Sequence, residues 1–318
     1  MTRHKSSCGQ AYVLTILFLA VLLAMAAAVL DVGSWYRAHR SLQATVDAAA
    51  LAGAQALPQD PAAASSLAGE YADKNGGGDM DIGFSNTVFP SDTIEVEGSR
   101  PAPGFFAKVF GIDTITVRTT AKARAGYPTA AKWVAPIVVH VDHPMLQNCT
   151  PAPCTDDTTL EYDNLNNPGK GSKGKDDGND GAGSFGFINL TGDGGVGSND
   201  LGEWISEGFD EYLYANQNYN VSTGNPFSSS NIEDALADKM AEGKPLLFPI
   251  YDTLTGTGDN AEYHIVGFAA FVITDIDFHG ENEIIYGYFE SVTWDGILAE
   301  SPGEAPPDFG VKSVSLIG

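Results

Sequence analysis

The chain has 318 residues, a length typical of about two domains, and its hydrophobic share of 43% is ordinary for a globular protein. Its 41 acidic residues outnumber 17 basic ones, and the net charge of -24 argues against a nucleic-acid-binding protein, which needs a basic face. The 3 cysteines are too few for a disulfide-scaffolded miniprotein or a four-thiolate zinc site.

The first predicted element is a membrane-spanning helix from Ala11 to Leu30. This run carries no charge, and a helix of its length measures about 30 Å, the thickness of the hydrocarbon core of a bilayer. Trp35 and Tyr36 follow it, as interfacial aromatic residues do at a membrane surface. The sequence therefore predicts a single-pass protein of the cytoplasmic membrane, in contact with the lipid bilayer.

The cations around the span do not decide its orientation, because Arg3 and Lys5 precede it while Arg37 and Arg40 follow it. The preceding tail is short and the chain after the span is strongly acidic. We therefore expect the N-terminus inside and the globular part outside, in the cell envelope. A cleaved signal peptide is the alternative, since residues 24–26 and 26–28 both fit a cleavage pattern. Against it, the apolar run exceeds the usual ~7–15 residues.

The helix is predicted to continue as a stalk as far as Leu57. No proline interrupts the sequence between the span and Pro58, and alanine, the best helix former, dominates it. Small and apolar residues recur at steps of three and four and form one stripe along the helix: Leu42, Val46, Ala49, Ala50, Gly53 and Leu57. Small residues permit close approach, so the stripe should pack on its own globular part or on a neighbouring subunit.

This segment resembles the N-terminal segment of TadG-like proteins of the Tad (tight adherence, Flp pilus) assembly system. The similarity covers residues 8–57: a short basic N-terminus, the step Gly9-Gln10, a helix ending in LDVG, and the run DAAALAGAQAL. The strings FGFINL, LLFPIYD and DFGVKSVSLIG are similar to a C-terminal region of such proteins. The resemblance implies a membrane-anchored structural component of a pilus or secretion apparatus, without enzymatic activity, that meets other subunits through its helix.

Two features depart from related proteins. Pilin precursors are cut after a glycine and carry glutamate at the fifth mature position, whereas cutting after Gly9 would place Leu14 there. Processing as a pilin subunit is therefore not expected. The D-x-S-x-S string that begins the metal site of von Willebrand A adhesion domains does not occur, so a metal site of that type is not expected either.

The predicted fold class is α+β, with the long transmembrane and stalk helix (residues 1–57) followed by β-rich extracytoplasmic domains with a few short helices. Residues 58–126 should form a small α+β module packed on the stalk. Its clearest strand is TITVRTTAKARA, where apolar and cationic residues alternate and predict one buried face. The string PGFFAKVFG predicts a short helix with Phe105, Phe106 and Val109 facing inward.

Residues 127–318 are predicted to form a larger β-rich domain. Apolar runs such as LLFPIYD and YHIVGFAAFVITDIDF lack alternation and predict strands covered on both faces. A helix is predicted from Asn199 to Tyr214, and a capping box at residues 230–233 predicts the start of another.

The acidic run around Asp176, Asp177 and Asp180 is a weak candidate for binding calcium. It fails the EF-hand pattern, because Gly178 occupies the third position and Phe187 the position of the bidentate glutamate. A solvated turn is the other interpretation. Calcium binding would suit an alternative function, that of a membrane-tethered extracellular binding or adhesion protein.

A glycine pattern at Gly192, Gly194 and Gly197 lies between a strand and a helix, as in dinucleotide-binding sites. Asp193 and Asp200 would repel a pyrophosphate, and we expect no cofactor. No other catalytic motif is found.

The string HVDH at residues 140–143 contains two histidines and an aspartate. In a strand His140 and Asp142 share a face while His143 points away, so a histidine pair without metal is expected. Cys149 and Cys154 stand close together in CTPAPC and are candidates for a disulfide outside the cytoplasm.

Overall fold

The computed structural model describes residues 8–147, 153–162, 184–192, 196–222, 227, 230–256, 260–278 and 283–317. The chain divides into two compact units. Unit 1 comprises Met1–Asn86, Ser91–Arg124 and Ser315–Gly318, and unit 2 comprises Thr87–Pro90 and Ala125–Val314. A long apolar helix followed by a β-rich region with a few short helices confirms the α+β prediction.

Two helices, three strands and one short 3₁₀ helix make up the body of unit 1: α1 (Cys8–Ala54), α2 (Pro61–Lys74), β1 (Asp79–Ser85), β2 (Thr93–Pro103), the 3₁₀ helix (Ala107–Phe110) and β3 (Thr114–Gly126). The predicted long helix ends three residues early, because the amides of residues 55–57 bond to carbonyls three positions back and tighten the chain into turns before Pro58. α2 then begins with Pro61 at its first position, and the carboxylate of Asp60 accepts the N–H of Ala63 at 2.9 Å.

The strands of unit 1 pair as an antiparallel meander, β1 with β2 and β2 with β3. The predicted alternation in β3 is confirmed: Val117, Ala121 and Ala123 are buried, while Arg118 and Lys122 are exposed. Each exposed cation lies near a glutamate of β2. Lys122 is directly opposite Glu95, with Nζ 3.2 Å from a carboxylate oxygen, and Arg118 lies diagonal to Glu97 at 3.9 Å. One face of the meander is therefore apolar and available for packing.

The remaining elements belong to unit 2, except that the end of β15 from Ser315 belongs to unit 1. In chain order they are β4 (Pro128–Ala131), β5 (Ile137–His140), α3 (Pro144–Gln147), β6 (Thr158–Tyr162), β7 (Ser184–Phe187), α4 (Ser198–Glu207), β8 (Leu213–Tyr214), β9 (Gln217–Asn220), α5 (Asn231–Glu242), β10 (Leu246–Thr255), β11 (Glu262–Asp277), β12 (Ile284–Glu290), β13 (Val292–Thr293), β14 (Gly296–Leu298) and β15 (Val311–Ile317).

Six strands of unit 2 pair into a closed ring. Their order is β10, β5, β7, β6, β12 and β11, and β11 pairs back onto β10, while β9 joins the start of β11. Residues 267–273 of β11 are buried without alternation, as predicted for a strand covered on both faces. The main core holds five fully buried phenylalanines together with apolar residues of α4 and α5: Phe185, Phe187, Phe248, Phe271 and Phe289.

One predicted helix boundary in unit 2 is wrong. α4 ends at Glu207 and does not reach Tyr214, because Gly208 adopts φ +78° and leaves the helix. A Cβ at Gly208 would lie 2.7 Å from the Cα of Trp133, so the turn leaves no room for a side chain. The predicted start of the next helix is confirmed, since α5 begins at Asn231. The capping box itself is absent, because Ser230 has helical backbone angles and makes no side-chain cap.

Candidate functional site

The candidate functional site is α1, whose first half is exposed. The described apolar side chains of residues 11–30 lie largely in solvent, with Phe18 64% and Val29 70% exposed. The helix is long and apolar enough to cross a membrane, with a mean hydropathy of 2.9 over its most apolar window, none of which is buried. The core helix of a soluble protein would be mostly buried. The apolar side chains of residues 11–30 are therefore not explained by packing within unit 1.

One face of the second half of α1 is buried within unit 1. All members of the predicted stripe are buried: Leu42, Val46, Ala49, Ala50, Gly53 and Leu57. A Cβ at Gly53 would lie 2.5 Å from Cδ1 of Ile94 on β2 and 2.9 Å from the carbonyl oxygen of Ala64 on α2. The stripe therefore packs on its own unit, at a distance that glycine alone permits.

Polar contacts fix the stalk half of α1 along its length. The hydroxyl of Thr45 donates to the carbonyl of Asn75 at 2.6 Å, just beyond the end of α2. The Gln43 side chain accepts a hydrogen bond from the hydroxyl of Thr119 and donates to the carbonyl of Thr120 at 3.4 Å. These hydrogen bonds connect α1 to the end of α2 and to β3. They fix the position of α1 along these elements, which apolar contacts alone do not specify.

Asp31 marks the junction between the two halves. The residue is 3% exposed, and its carboxylate accepts three backbone N–H groups, from Phe105 at 2.8 Å, Phe106 at 3.0 Å and Ala107 at 2.5 Å. One turn further along, Nε1 of Trp35 donates to the carbonyl of Pro103 at 3.1 Å. The loop between β2 and β3 is thereby fixed beside the first residue after the apolar run.

The role of Asp31 was missed in the sequence, although one signal was present. Asp31 is the one acidic residue among the first forty, and it directly follows the uncharged run. A carboxylate at that position needs hydrogen-bond donors when it is buried, and backbone amides of a distant loop supply them here.

The prediction that Phe105, Phe106 and Val109 face inward is wrong. They are 61%, 45% and 84% exposed. Because Asp31 holds the three amides that open this turn, the short 3₁₀ helix is oriented with its apolar side chains away from unit 1. Periodicity identified an apolar face, but the face does not contribute to the core.

In unit 2 the two histidines of HVDH do not converge. His140 Nδ1 lies 3.8 Å from a carboxylate oxygen of Asp142, whereas His143 is buried with its ring against Phe289, the centroids 5.3 Å apart. Across the residues that the structure describes, no group of three His, Cys, Asp or Glu side chains could hold a metal ion.

The glycine pattern is described in part. The carboxylate of Asp200 accepts the N–H of Gly197 at 2.9 Å, which places a negative charge at the start of α4, where a phosphate would otherwise bind. Gly194 and Asp193 lie outside the described residues.

The calcium candidates Asp176, Asp177 and Asp180 also lie outside the described residues, so calcium binding stays a prediction. Cys154 is disulfide-bonded. Its expected partner Cys149 lies outside the described residues, and the identity of the pair stays a prediction too.

Comparison with known proteins finds a family match in the same segment. Residues 9–56 match the profile of a family described as putative Flp pilus-assembly TadE/G-like. The match coincides with α1 and confirms the resemblance to TadG-like proteins. No curated protein and no solved structure matches the chain significantly.

Proposed function

We propose that this chain is a membrane-anchored structural component of a Tad-type pilus assembly or secretion apparatus. Residues 11–30 of α1 lie in the bilayer, the stalk half carries unit 1, and the globular part lies outside the cytoplasm. The protein acts by positioning, and its helix in the membrane is the surface through which it meets other subunits of the apparatus.

The main support for this proposal is that α1 consists of an exposed apolar half and a stalk half that packs within unit 1. Residues 9–54 of the segment that matches the TadE/G-like family form one unbroken helix, and its stalk half already has partners within unit 1. The apolar half is largely exposed among the described residues of unit 1, so lipid and other membrane helices can cover it. The disulfide at Cys154 supports an extracytoplasmic location of unit 2, because disulfides persist in oxidising compartments.

The anchor is tested by placing charges in the span. Leu19 and Leu23 are exposed and lie within the apolar run, and arginine near the centre of a membrane helix costs about 2.5–3.5 kcal/mol per residue on insertion scales. We expect the double variant L19R/L23R to lose its place in the membrane pellet after alkaline carbonate washing, while wild type and the matched L19I/L23I variant stay. Extraction of the wild-type chain by carbonate would disprove the anchor.

The assembly role is tested by exchanging the helix. A chimera in which residues 11–30 are replaced by an unrelated leucine–alanine helix of equal length keeps the hydrophobic length and should stay carbonate-resistant. If helix contacts position the protein, we expect this chimera to fail to restore pili in a strain that lacks the protein, as counted by electron microscopy. Full restoration would show that the span is an anchor without a role in recognition.

A further inference from the structure

A second apolar surface lies on unit 1 beside the span. The apolar loop, residues 104–113 between β2 and β3, carries five large apolar side chains that are exposed: Phe105 61%, Phe106 45%, Val109 84%, Phe110 81% and Ile112 45%. Clusters of exposed apolar residues mark interaction surfaces, since a soluble surface rarely leaves such side chains in water.

The position of the apolar loop is set by contacts along α1. From its first residue to its last, β2 contacts α1 at positions progressively closer to the apolar run. The apolar loop contacts α1 at Asp31, the first residue after that run. The contacts, from far to near, are Ile94 with Gly53, Gly98 with Val46, Pro103 with Trp35, and Phe105 with Asp31.

The level of Asp31 is the boundary of the bilayer if the preceding residues span it. A helix of residues 11–30 fills the hydrocarbon core, so the next residue lies where the core ends. Three amides of the apolar loop bond to this one carboxylate, which holds the loop backbone at the same depth. Its phenylalanines are then at the height where aromatic and apolar side chains partition into the interfacial layer.

The exposed charges near this level are mainly cationic. Arg37 and Arg40 are exposed on α1 beyond Asp31 and Lys108 is exposed on the apolar loop, while Asp113 is an exposed carboxylate at the end of that loop. Cations at this level can contact lipid phosphates, and the long lysine chain can extend to the headgroups while its stem stays among apolar groups. The carboxylate of Asp31 is removed from lipid by its three amide donors.

We propose that the apolar loop inserts into the interfacial layer of the bilayer leaflet that the C-terminal end of the span reaches. The protein then contacts the membrane at two points, the helix and the apolar loop. This inference rests on the proposed membrane anchor and adds a lipid-binding surface on unit 1.

The test uses the full chain in liposomes of phosphatidylethanolamine and phosphatidylglycerol. Cys8 is replaced by serine, and Cys149 and Cys154, the expected disulfide pair, are kept oxidised. Single cysteines carry an environment-sensitive nitrobenzoxadiazole probe at Phe110 (F110C), at Leu22 in the span (L22C), or at the exposed Ser85 (S85C). Ser85 pairs with the start of β2, far from Asp31, and serves as the matched control. Quenching by nitroxide-labelled lipids is compared with quenching by aqueous iodide.

We expect the F110C probe to be quenched by shallow nitroxide lipids and to be several-fold less sensitive to iodide than the S85C probe. Equal iodide quenching of F110C and S85C would overturn the loop proposal. An F110C probe shielded from iodide but unaffected by nitroxide lipids would overturn it as well and indicate contact with a second copy. The L22C probe separates the two proposals, because loss of its lipid quenching disproves the anchor, whereas retained quenching confines a failure at Phe110 to the loop.

Discussion

Replacing Gly53 by alanine is expected to destabilise unit 1 by about 1–3 kcal/mol, the usual cost of overpacking a tightly packed core. The added methyl group would lie 2.5 Å from Cδ1 of Ile94, 2.9 Å from the carbonyl oxygen of Ala64 and 3.1 Å from Cβ of Ala68. Ile94 can rotate, but the carbonyl belongs to the backbone of α2, so the two helices must separate. Hydrogen–deuterium exchange of α2 amides in the full-length, detergent-solubilised protein measures the loss of local stability.

Gly69 provides the matched control for this prediction. It lies within α2, and a Cβ there would meet nothing within 4 Å. Alanine at this position should therefore stabilise the helix by about 0.5–1 kcal/mol, because glycine loses more backbone entropy on folding. The two substitutions are chemically identical and should change exchange rates in opposite directions. A change of the same sign at both positions would show that close packing at Gly53 is not what holds α1 to α2.

The stability of unit 2 is expected to fall between pH 6.5 and pH 4 through His143. Burial lowers the pKa of His143 from 6.5 to about 4, and a hydrogen bond to the backbone of Thr159 opposes this effect only in part. Nδ1 of the ring also accepts the N–H of Met145 at 3.2 Å, which requires that nitrogen to be unprotonated. The neutral ring is therefore the form that the fold accommodates.

The sign of the effect follows from proton binding. Below pH 6.5 the unfolded chain takes up a proton at this histidine while the folded chain does not, so the free energy of unfolding decreases until the folded pKa is reached. A pKa difference of this size corresponds to about 3 kcal/mol at about 1.36 kcal/mol per pKa unit. Urea unfolding of the full chain in detergent at pH 7 and pH 4 measures it.

The variant H143N separates this contribution from the general acid response of the carboxylates. Asparagine keeps an acceptor for the N–H of Met145 but does not titrate, so the fall in stability should be smaller by about 3 kcal/mol than in wild type. His39 is exposed on α1, and H39N should leave the wild-type fall unchanged. An H143N protein with the full wild-type pH dependence would rule out this histidine as its source.

Sequence patterns among neighbouring residues correctly predicted α1 and the buried face of β3. An uncharged apolar run and an alanine-rich continuation without proline predicted α1, and alternation predicted which face of β3 is buried, as at Val117 and Ala121. Both signals depend on periodicity, which neighbouring residues carry. The end of α4 depends instead on Gly208, which has a positive φ and lies close to Trp133. Trp133 is distant in sequence, so periodicity around α4 does not reveal this contact.

Contacts between distant residues could not be predicted in this way. The bonds from Asp31 to Phe105 and Ala107 join positions more than seventy residues apart, and nothing in either segment specifies the other. The outward orientation of Phe105 follows from those bonds. An apolar periodicity also cannot tell whether its face meets protein or lipid, which is why the inward prediction for this loop failed.

Because α1 runs without a break from Cys8 to Ala54, unit 1 has no hinge at the bilayer surface. If the span tilts by about 20°, as membrane helices commonly do, the helix end about 35 Å beyond Asp31 sweeps sideways by roughly 12 Å. Changes in bilayer thickness that alter this tilt would therefore displace the outer end of the stalk sideways, because α1 moves as one helix.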